Sequence, residues 1–144
     1  MKRNLSKINS QILKLNNYFK TNKNIVAVFL FGSFGTDYEQ PNSDIDLAIL
    51  YKNNPTLYNE LEIECQLSRF FERDNIDVIN LNTAPIDICH EVLYTGNLLY
   101  CSDEILLSDF KEKVFKIYGD YGITLKKFYE DLKEGLRIKY GGNR

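Results

Sequence analysis

Two apolar segments with polar residues at one end constrain the fold of this 144-residue chain more than any other feature. Residues 25–31 have the sequence Ile-Val-Ala-Val-Phe-Leu-Phe and run directly into Gly32-Ser33. Residues 44–51 have the sequence Asp-Ile-Asp-Leu-Ala-Ile-Leu-Tyr, so that here the polar positions come first. Short apolar runs rich in β-branched and aromatic residues are typical of buried strands. We therefore expect strands at about 25–31 and 44–51.

The two acids that open the second strand are spaced to lie on one face. Side chains two residues apart on a strand point the same way, roughly 6.5–7 Å apart along it, so Asp44 and Asp46 share a face. Paired carboxylates at the start of an apolar strand repel one another and are costly to bury unless a cation neutralises them. Mg²⁺ is the natural candidate, because it accepts few carboxylates and completes its octahedron with waters and substrate phosphates.

The Gly-Ser pair that ends the first strand favours phosphate binding. Gly32 lets the backbone turn where a side chain would block a phosphate, and Ser33 offers a hydroxyl and a main-chain N–H to an anion. Together with the two acids, this pair predicts a site for a nucleoside triphosphate and metal. Two ions about 3.5–4 Å apart could activate an attacking oxygen and stabilise a leaving one.

A third carboxylate is available in the strand-like run of residues 75–81, Asn-Ile-Asp-Val-Ile-Asn-Leu. Acids are uncommon in the middle of such a run, so Asp77 either meets a metal or lies on a solvated edge. We favour the metal because two other aspartates already point to one. Asp74 is the weaker substitute, since it falls in a turn.

These residues resemble the signature of the polymerase-β-type nucleotidyltransferase superfamily: Gly32-Ser33, a ten-residue spacer, Asp44-x-Asp46 and the later Asp77. The small size and the stretch 76–85 are similar to the minimal nucleotidyltransferases of the MNT type. The similarity extends from about residue 20 to the C-terminus.

The resemblance implies both a reaction and a partner. Proteins of the MNT type are commonly the antitoxins of MNT–HEPN toxin–antitoxin pairs, so it implies transfer of AMP from ATP to a tyrosine of a HEPN ribonuclease toxin, within a hetero-oligomer. Asp44 and Asp46 would hold Mg²⁺, with two ions expected. Asp77 would complete the catalytic metal site and help to deprotonate the acceptor hydroxyl. Gly32 and Ser33 would hold the β- and γ-phosphates.

One departure from this family concerns charge. Relatives often carry a basic residue shortly after the Gly-Ser pair, whereas residues 34–43 contain neither Lys nor Arg. The triphosphate charge would then be balanced by metals, by main-chain N–H groups or by basic residues elsewhere in the chain.

Composition predicts a single domain spanning residues 1–144, with a core at about 20–101 and C-terminal helices at about 103–139. The N-terminus lacks the apolar segment of a signal peptide and no run is long enough to span a membrane, so we expect a cytoplasmic protein. Three cysteines and one histidine, widely spaced, indicate neither a disulfide framework nor a zinc site. A formal charge of −2 disfavours nucleic acid as substrate.

The remaining pattern predicts an α/β (α+β) fold with a small mixed sheet flanked by helices and a helical C-terminus. Beyond the strands already named, we expect helices at about 5–20, 34–39, 56–72, 85–95, 103–118 and 121–139, and an edge strand at 98–101. The break between the last two helices is predicted from Gly119 and Gly122, and the short helix at 34–39 is expected to stop at Pro41 and Asn42.

Two other functions stay open. The chain could transfer a nucleotide to a small molecule such as an aminoglycoside, although such enzymes usually carry a sizeable second domain. It could also be a non-catalytic antitoxin that neutralises its partner by binding alone, against which the presence of all three carboxylates counts.

Overall fold

A computed structural model of the chain describes residues 3–40 and 44–136. Within these ranges a short 3₁₀ turn, Ser6–Ile8, leads into four α-helices and four β-strands. In chain order they are α1 (Asn9–Thr21), β1 (Ile25–Phe31), β2 (Ile45–Tyr51), α2 (Leu57–Phe71), β3 (Ile76–Asn80), α3 (Ile86–Thr95), β4 (Asn97–Cys101) and α4 (Glu104–Leu136). The strands and all but two of the predicted helix assignments are confirmed.

The strands form one mixed sheet in the order β3-β2-β1-β4. β1 pairs antiparallel with both β2 and β4, whereas β2 and β3 run parallel. The parallel pair is possible because α2 crosses over between its two strands. The mixed sheet predicted from the sequence is therefore confirmed, with β4 at one edge and β3 at the other.

A hydrophobic layer covers each face of the sheet. Helices α1 and α2 pack over one face, where the fully buried side chains include Phe19, Leu47 and Leu67. Helices α3 and α4 pack over the other face, around Phe29, Ala48, Leu50, Val92 and Leu107. Alternation along β2 thus sends Leu47 to one layer and Ala48 to the other, as the period of two requires.

Helix α4 differs from the prediction, because it is a single helix of 33 residues from Glu104 to Leu136. Gly119 and Gly122 lie inside it, and a Cβ at either position would meet nothing within 4 Å. A glycine in a helix costs about 1 kcal/mol relative to alanine, which is too little to interrupt a long helix that contains no proline. The predicted helix end near residue 139 lies outside the described residues.

The distal half of α4 extends beyond the sheet and exposes apolar side chains. Among the described residues, those about half exposed or more are Tyr121, Ile123, Phe128, Tyr129, Leu132 and Leu136. No helix in the described ranges combines the length and the low polarity needed to cross a membrane. An exposed apolar surface of this kind on a folded protein is characteristic of a site of interaction.

Candidate active site

One edge of the sheet collects the polar residues predicted from the sequence. The C-terminal end of β1 lies beside the N-terminal ends of β2 and β4, because both strands run antiparallel to it. The N-terminal end of β3 joins them, because β3 is parallel to β2. Gly32, Asp44, Asp46 and Asp77 therefore come together from three separate parts of the chain.

Strand register brings Asp46 and Asp77 side by side. The two residues are direct partners in the parallel β2–β3 ladder, and neighbouring strands lie about 4.7–4.9 Å apart. Along each strand, every second residue faces α3 and α4, and Asp46 and Asp77 occupy these positions. Their carboxylates consequently point to the same side of the sheet, and Asp44, two residues before Asp46, lies at the same end of β2.

The electrostatics of Asp46 reflect this crowding. Asp46 is half-buried, and burial raises the pKa of its carboxyl to about 6, with further contributions from the negative charges of Asp77 and Asp44. The positive charge of Arg3 acts in the opposite direction. A cation that binds beside such a carboxyl group stabilises its ionised form.

The other two aspartates are exposed to solvent. Asp77 lies on a solvated edge strand, where it is the ladder partner of Asp46, and its role as a metal ligand stays a prediction. Asp74, the weaker substitute, is exposed in the turn between α2 and β3. Within the described residues, no three acidic, histidine or cysteine side chains are already gathered closely enough to enclose a metal ion.

Gly32 turns the chain directly over the Asp46 carboxylate. Its φ is +78°, in the left-handed region that favours glycine, and a Cβ built at this position would collide with Oδ2 of Asp46. The glycine is therefore required both for the backbone conformation and for the close approach of the turn to the carboxylate.

The segment after the Gly-Ser pair forms consecutive turns, so the predicted helix at 34–39 is wrong. Gly35 has a φ of +76°, which a right-handed helix cannot contain. Thr36 donates its backbone N–H to Ser33 O at 3.0 Å, and Glu39 donates to Thr36 O at 3.1 Å. Phe34 is buried and contributes to the core. The predicted stop at Pro41 and Asn42 lies outside the described residues.

The residues present fit a hard divalent cation. The available ligands are carboxylate oxygens, which Mg²⁺ prefers, and the central one, Asp46, is desolvated and crowded by two like charges. The Gly32 turn lies so close to Oδ2 of Asp46 that a side chain does not fit between them, which places the loop backbone directly beside that carboxylate. These observations favour a site completed by a cation and an anionic ligand together.

Sequence reasoning missed Arg3, whose guanidinium lies at this edge of the sheet. Its Nη1 donates to the backbone oxygen of Gly32 at 2.7 Å and to that of Phe34 at 2.9 Å. Burial lowers the pKa of Arg3 and the nearby Asp46 raises it. A lone arginine 29 residues before the motif carries no local signal, so only the folded chain identifies it.

Comparison with known proteins agrees with this geometry. The family model described as polymerase beta, nucleotidyltransferase matches residues 13–105, which is more than half of the chain. The chain belongs to this nucleotidyltransferase family. The matched range contains β1, β2, β3 and β4, and hence Gly32, Ser33 and all three aspartates.

Two curated proteins resemble parts of this nucleotidyltransferase chain. The protein adenylyltransferase MntA of Shewanella oneidensis is 29% identical over 73 residues, which are 51% of this chain and 52% of MntA. The inactive non-canonical poly(A) RNA polymerase protein Trf4-2 of Drosophila melanogaster is 39% identical over 61 residues, which are 42% of this chain and 15% of that protein. The matches thus span about half the length of one relative and much less of the other.

Solved structures share the fold over most of the chain. A toxin–antitoxin crystal structure with AMP-PNP has a TM-score of 0.67 at 22% identity, covering 86% of this chain and 97% of that chain. The MntA–HepT toxin–antitoxin structure has a TM-score of 0.65 at 21% identity, with the same coverage. A structure of tri-AMPylated Shewanella oneidensis HEPN toxin with MNT antitoxin gives 0.65 at 19% identity, covering 86% and 97%. The predicted nucleotidyltransferase fold is confirmed.

Substitution of Gly32 tests the close approach of the turn to Asp46. We expect Gly32→Ala to lower the free energy of unfolding by about 1–3 kcal/mol, because alanine is strained at this φ, and to abolish ATP binding because the methyl group displaces the carboxylate. Gly135→Ala is the matched control, since a Cβ there meets nothing within 4 Å. Denaturant unfolding and calorimetric titration measure both effects. A Gly32→Ala protein that is as stable as wild type and binds ATP equally well would refute this role.

The raised pKa of Asp46 predicts a pH dependence of stability. Between its ordinary value of 3.8 and about 6, the folded state holds more protons than the unfolded state, so this group makes folding less favourable as pH rises through that window. Metal-free Asp46→Asn should therefore gain thermal stability over wild type at about pH 7.5 but not at about pH 4.5.

The matched control is Asp74→Asn, which removes one carboxylate from an exposed turn and should change the melting temperature little at either pH. Melting temperatures in the presence of EDTA measure the difference. If Asp46→Asn shows the same difference from wild type at both pH values, burial and repulsion do not act on Asp46 as described.

Proposed function

We propose that this chain is a Mg²⁺-dependent nucleotidyltransferase that moves AMP from ATP to a tyrosine hydroxyl of a partner HEPN ribonuclease toxin, and so acts as its antitoxin. The observation that carries the proposal is the crowding of Asp46 between Asp44 and Asp77, directly beneath the Gly32 turn. Carboxylates arranged in this way are useful when a cation and a phosphate chain complete the site.

Each residue of the site has a distinct role in this proposal. Asp44, Asp46 and Asp77 would hold Mg²⁺, which, when bound, neutralises charge on the phosphates. Gly32 and Ser33 would hold the β- and γ-phosphates through the backbone and the serine hydroxyl. Asp77 is exposed on its edge strand and so accessible to an incoming acceptor, and it would help to remove the proton of the acceptor hydroxyl.

The reaction forms one bond and breaks one bond at the α-phosphorus of ATP. The acceptor oxygen bonds to the α-phosphorus as the hydroxyl proton moves toward Asp77. The bond between the α-phosphorus and the oxygen that bridges the α- and β-phosphates breaks. Pyrophosphate is the leaving group, and the Gly32 turn would bind it until it is released. Orientation and fixed charges would supply most of the rate enhancement, because little covalent chemistry falls to the protein itself.

A protein acceptor suits the open shape of the site. Asp44 and Asp77 are exposed, so the acceptor has to contribute part of the wall that excludes water. The chain has a formal charge of −2, which gives no general attraction for a nucleic-acid backbone. The exposed apolar side chains on the distal half of α4 offer contact area for a stable hetero-oligomer.

The similar proteins support the same partner and donor. One neighbour is MntA, named as a protein adenylyltransferase, and others are toxin–antitoxin complexes, one of them with AMP-PNP and one with a tri-AMPylated HEPN toxin. AMP on a tyrosine adds negative charge and bulk, which beside a ribonuclease site would exclude RNA. With ATP as donor, the reaction belongs in the cytoplasm.

Mass spectrometry of the partner tests the proposal. The product of the neighbouring gene, which the proposal expects to be a HEPN protein, should gain one or more AMP groups on tyrosine when it is incubated with the wild-type chain, ATP and Mg²⁺. Asp46→Asn should slow this transfer at least about 100-fold, because it removes the central metal ligand. Asp74→Asn is the matched control and should transfer AMP at nearly the wild-type rate.

The same experiment separates catalysis from binding. If the partner stays unmodified yet its ribonuclease activity is inhibited equally by wild type and by Asp46→Asn, the chain neutralises its partner by binding alone. If an added aminoglycoside is modified and the partner is not, the acceptor is a small molecule. Either result would overturn the proposal.

A further inference from the structure

Arg3, which lies outside the predicted motif, connects the loop that follows β1, residues 32–39, to the rest of the fold. The Nη1 of Arg3 donates to Gly32 O at 2.7 Å and to Phe34 O at 2.9 Å. Its Nε donates to Oδ1 of Asn97 at 2.8 Å, and its Nη2 lies 3.5 Å from Thr95 O. Arg3 therefore joins the end of β1 to the junction between α3 and β4.

Two residues close to Arg3 in the sequence, Asn4 and Lys7, contact the same loop. The backbone N–H of Asn4 donates to Gly35 O at 2.8 Å, and a Cβ on Gly35 would lie only 2.7 Å from Asn4 O. Lys7 Nζ forms an ion pair with Oε2 of Glu39 at 3.0 Å, and the other carboxylate oxygen of Glu39 accepts from Gly35 N at 3.2 Å. The N-terminal segment thus contacts both the start of the loop, at Gly32, and its end, at Glu39.

Peptide geometry shows what Arg3 determines. In a planar trans peptide the C=O and N–H groups point in opposite directions. Because Gly32 O points toward the guanidinium, the N–H of Ser33 in the same peptide points away from it. Phe34 O is held in the same manner, so Arg3 orients the Gly32–Ser33 peptide and the Phe34–Gly35 peptide. A guanidinium can bind these two carbonyls and Asn97 at once because its five N–H donors form a fixed planar array.

Arg3 also brings a fixed positive charge to the site. Residues 34–43 contain no Lys or Arg, whereas Arg3 is close enough to Asp46 for the two charges to interact. The guanidinium stays protonated throughout the physiological pH range, so this charge is present with or without a metal.

We propose that Arg3 is a positioning residue, which holds the backbone of Gly32, Ser33 and Phe34 in the conformation that receives the phosphates and places a positive charge behind that backbone. The proposal rests on the proposed function in one respect, namely that the ligand of this loop is the triphosphate of ATP.

Amide hydrogen exchange of the metal-free and nucleotide-free protein tests the structural part. In Arg3→Lys, which keeps the charge but loses the planar array of donors, we expect the amides of Thr36 and Glu39 to exchange about tenfold faster. The matched control is Arg69→Lys, since Arg69 is exposed on α2 and its substitution should leave these rates unchanged. Equal exchange in Arg3→Lys and wild type would overturn the proposal.

Asn97→Ala provides a second variant that leaves Arg3 in place but removes one anchor of its guanidinium. Exchange at Thr36 should rise by about threefold in this variant. An unchanged exchange rate at Thr36 in Asn97→Ala would contradict the proposal that Arg3 links the loop to β4. This test stands even if Arg3→Lys is too unstable to study.

Steady-state kinetics of AMP transfer test the link to the nucleotide. Arg3→Gln should raise KM for ATP by about tenfold, while kcat changes less than KM, and Arg3→Lys should restore only part of the loss. An unchanged KM in Arg3→Gln, or full restoration by lysine, would overturn the positioning role. If the wild-type chain transfers no AMP at all, the proposed function fails, and hydrogen exchange still decides the role of Arg3.

Discussion

The parallel pairing of β2 with β3 is the constraint on which the site depends. It sets Asp46 and Asp77 opposite each other in the ladder, on a sheet face that is otherwise apolar. Burial of Asp46, together with the nearby charges of Asp77 and Asp44, disfavours its ionised form, as its raised pKa indicates, and a bound cation would relieve this cost. The proposed binding of a cation would thus be coupled to the folding of this edge of the sheet through the same carboxylates.

The loop between β1 and β2 is organised around the same carboxylate. Gly32 approaches Oδ2 of Asp46 so closely that no side chain fits, and Arg3 donates a hydrogen bond to the Gly32 carbonyl. A phosphate bound at this turn would lie between the cation on the aspartates and the backbone that Arg3 orients. The site therefore combines the carboxylates of the strands with the guanidinium of Arg3 from the N-terminal segment.

Much of this site could be predicted from local pattern. The apolar runs defined β1 and β2, and the period of two in a strand put Asp44 and Asp46 on one face. The register of β3 against β2 could not be predicted, because it depends on how α2 returns the chain to the sheet. The contacts of Arg3 span 29 residues to Gly32 and 94 to Asn97, and no local pattern encodes such distances. The two wrong helix predictions both concern glycine, whose positive φ stops a helix at Gly35 and whose presence inside α4 does not.

The central claim is that a cation on the aspartates neutralises the triphosphate, and calorimetric titration of ATP into the chain tests it most directly. The titration is made with Mg²⁺ and again with EDTA, for wild type and for Asp46→Asn. Mg²⁺ should tighten binding to wild type at least about tenfold, or about 1.4 kcal/mol, and this gain should vanish in Asp46→Asn. Equal affinity of wild type for ATP with and without Mg²⁺ would contradict the account, because Arg3 and the loop backbone would then be sufficient to balance the phosphates.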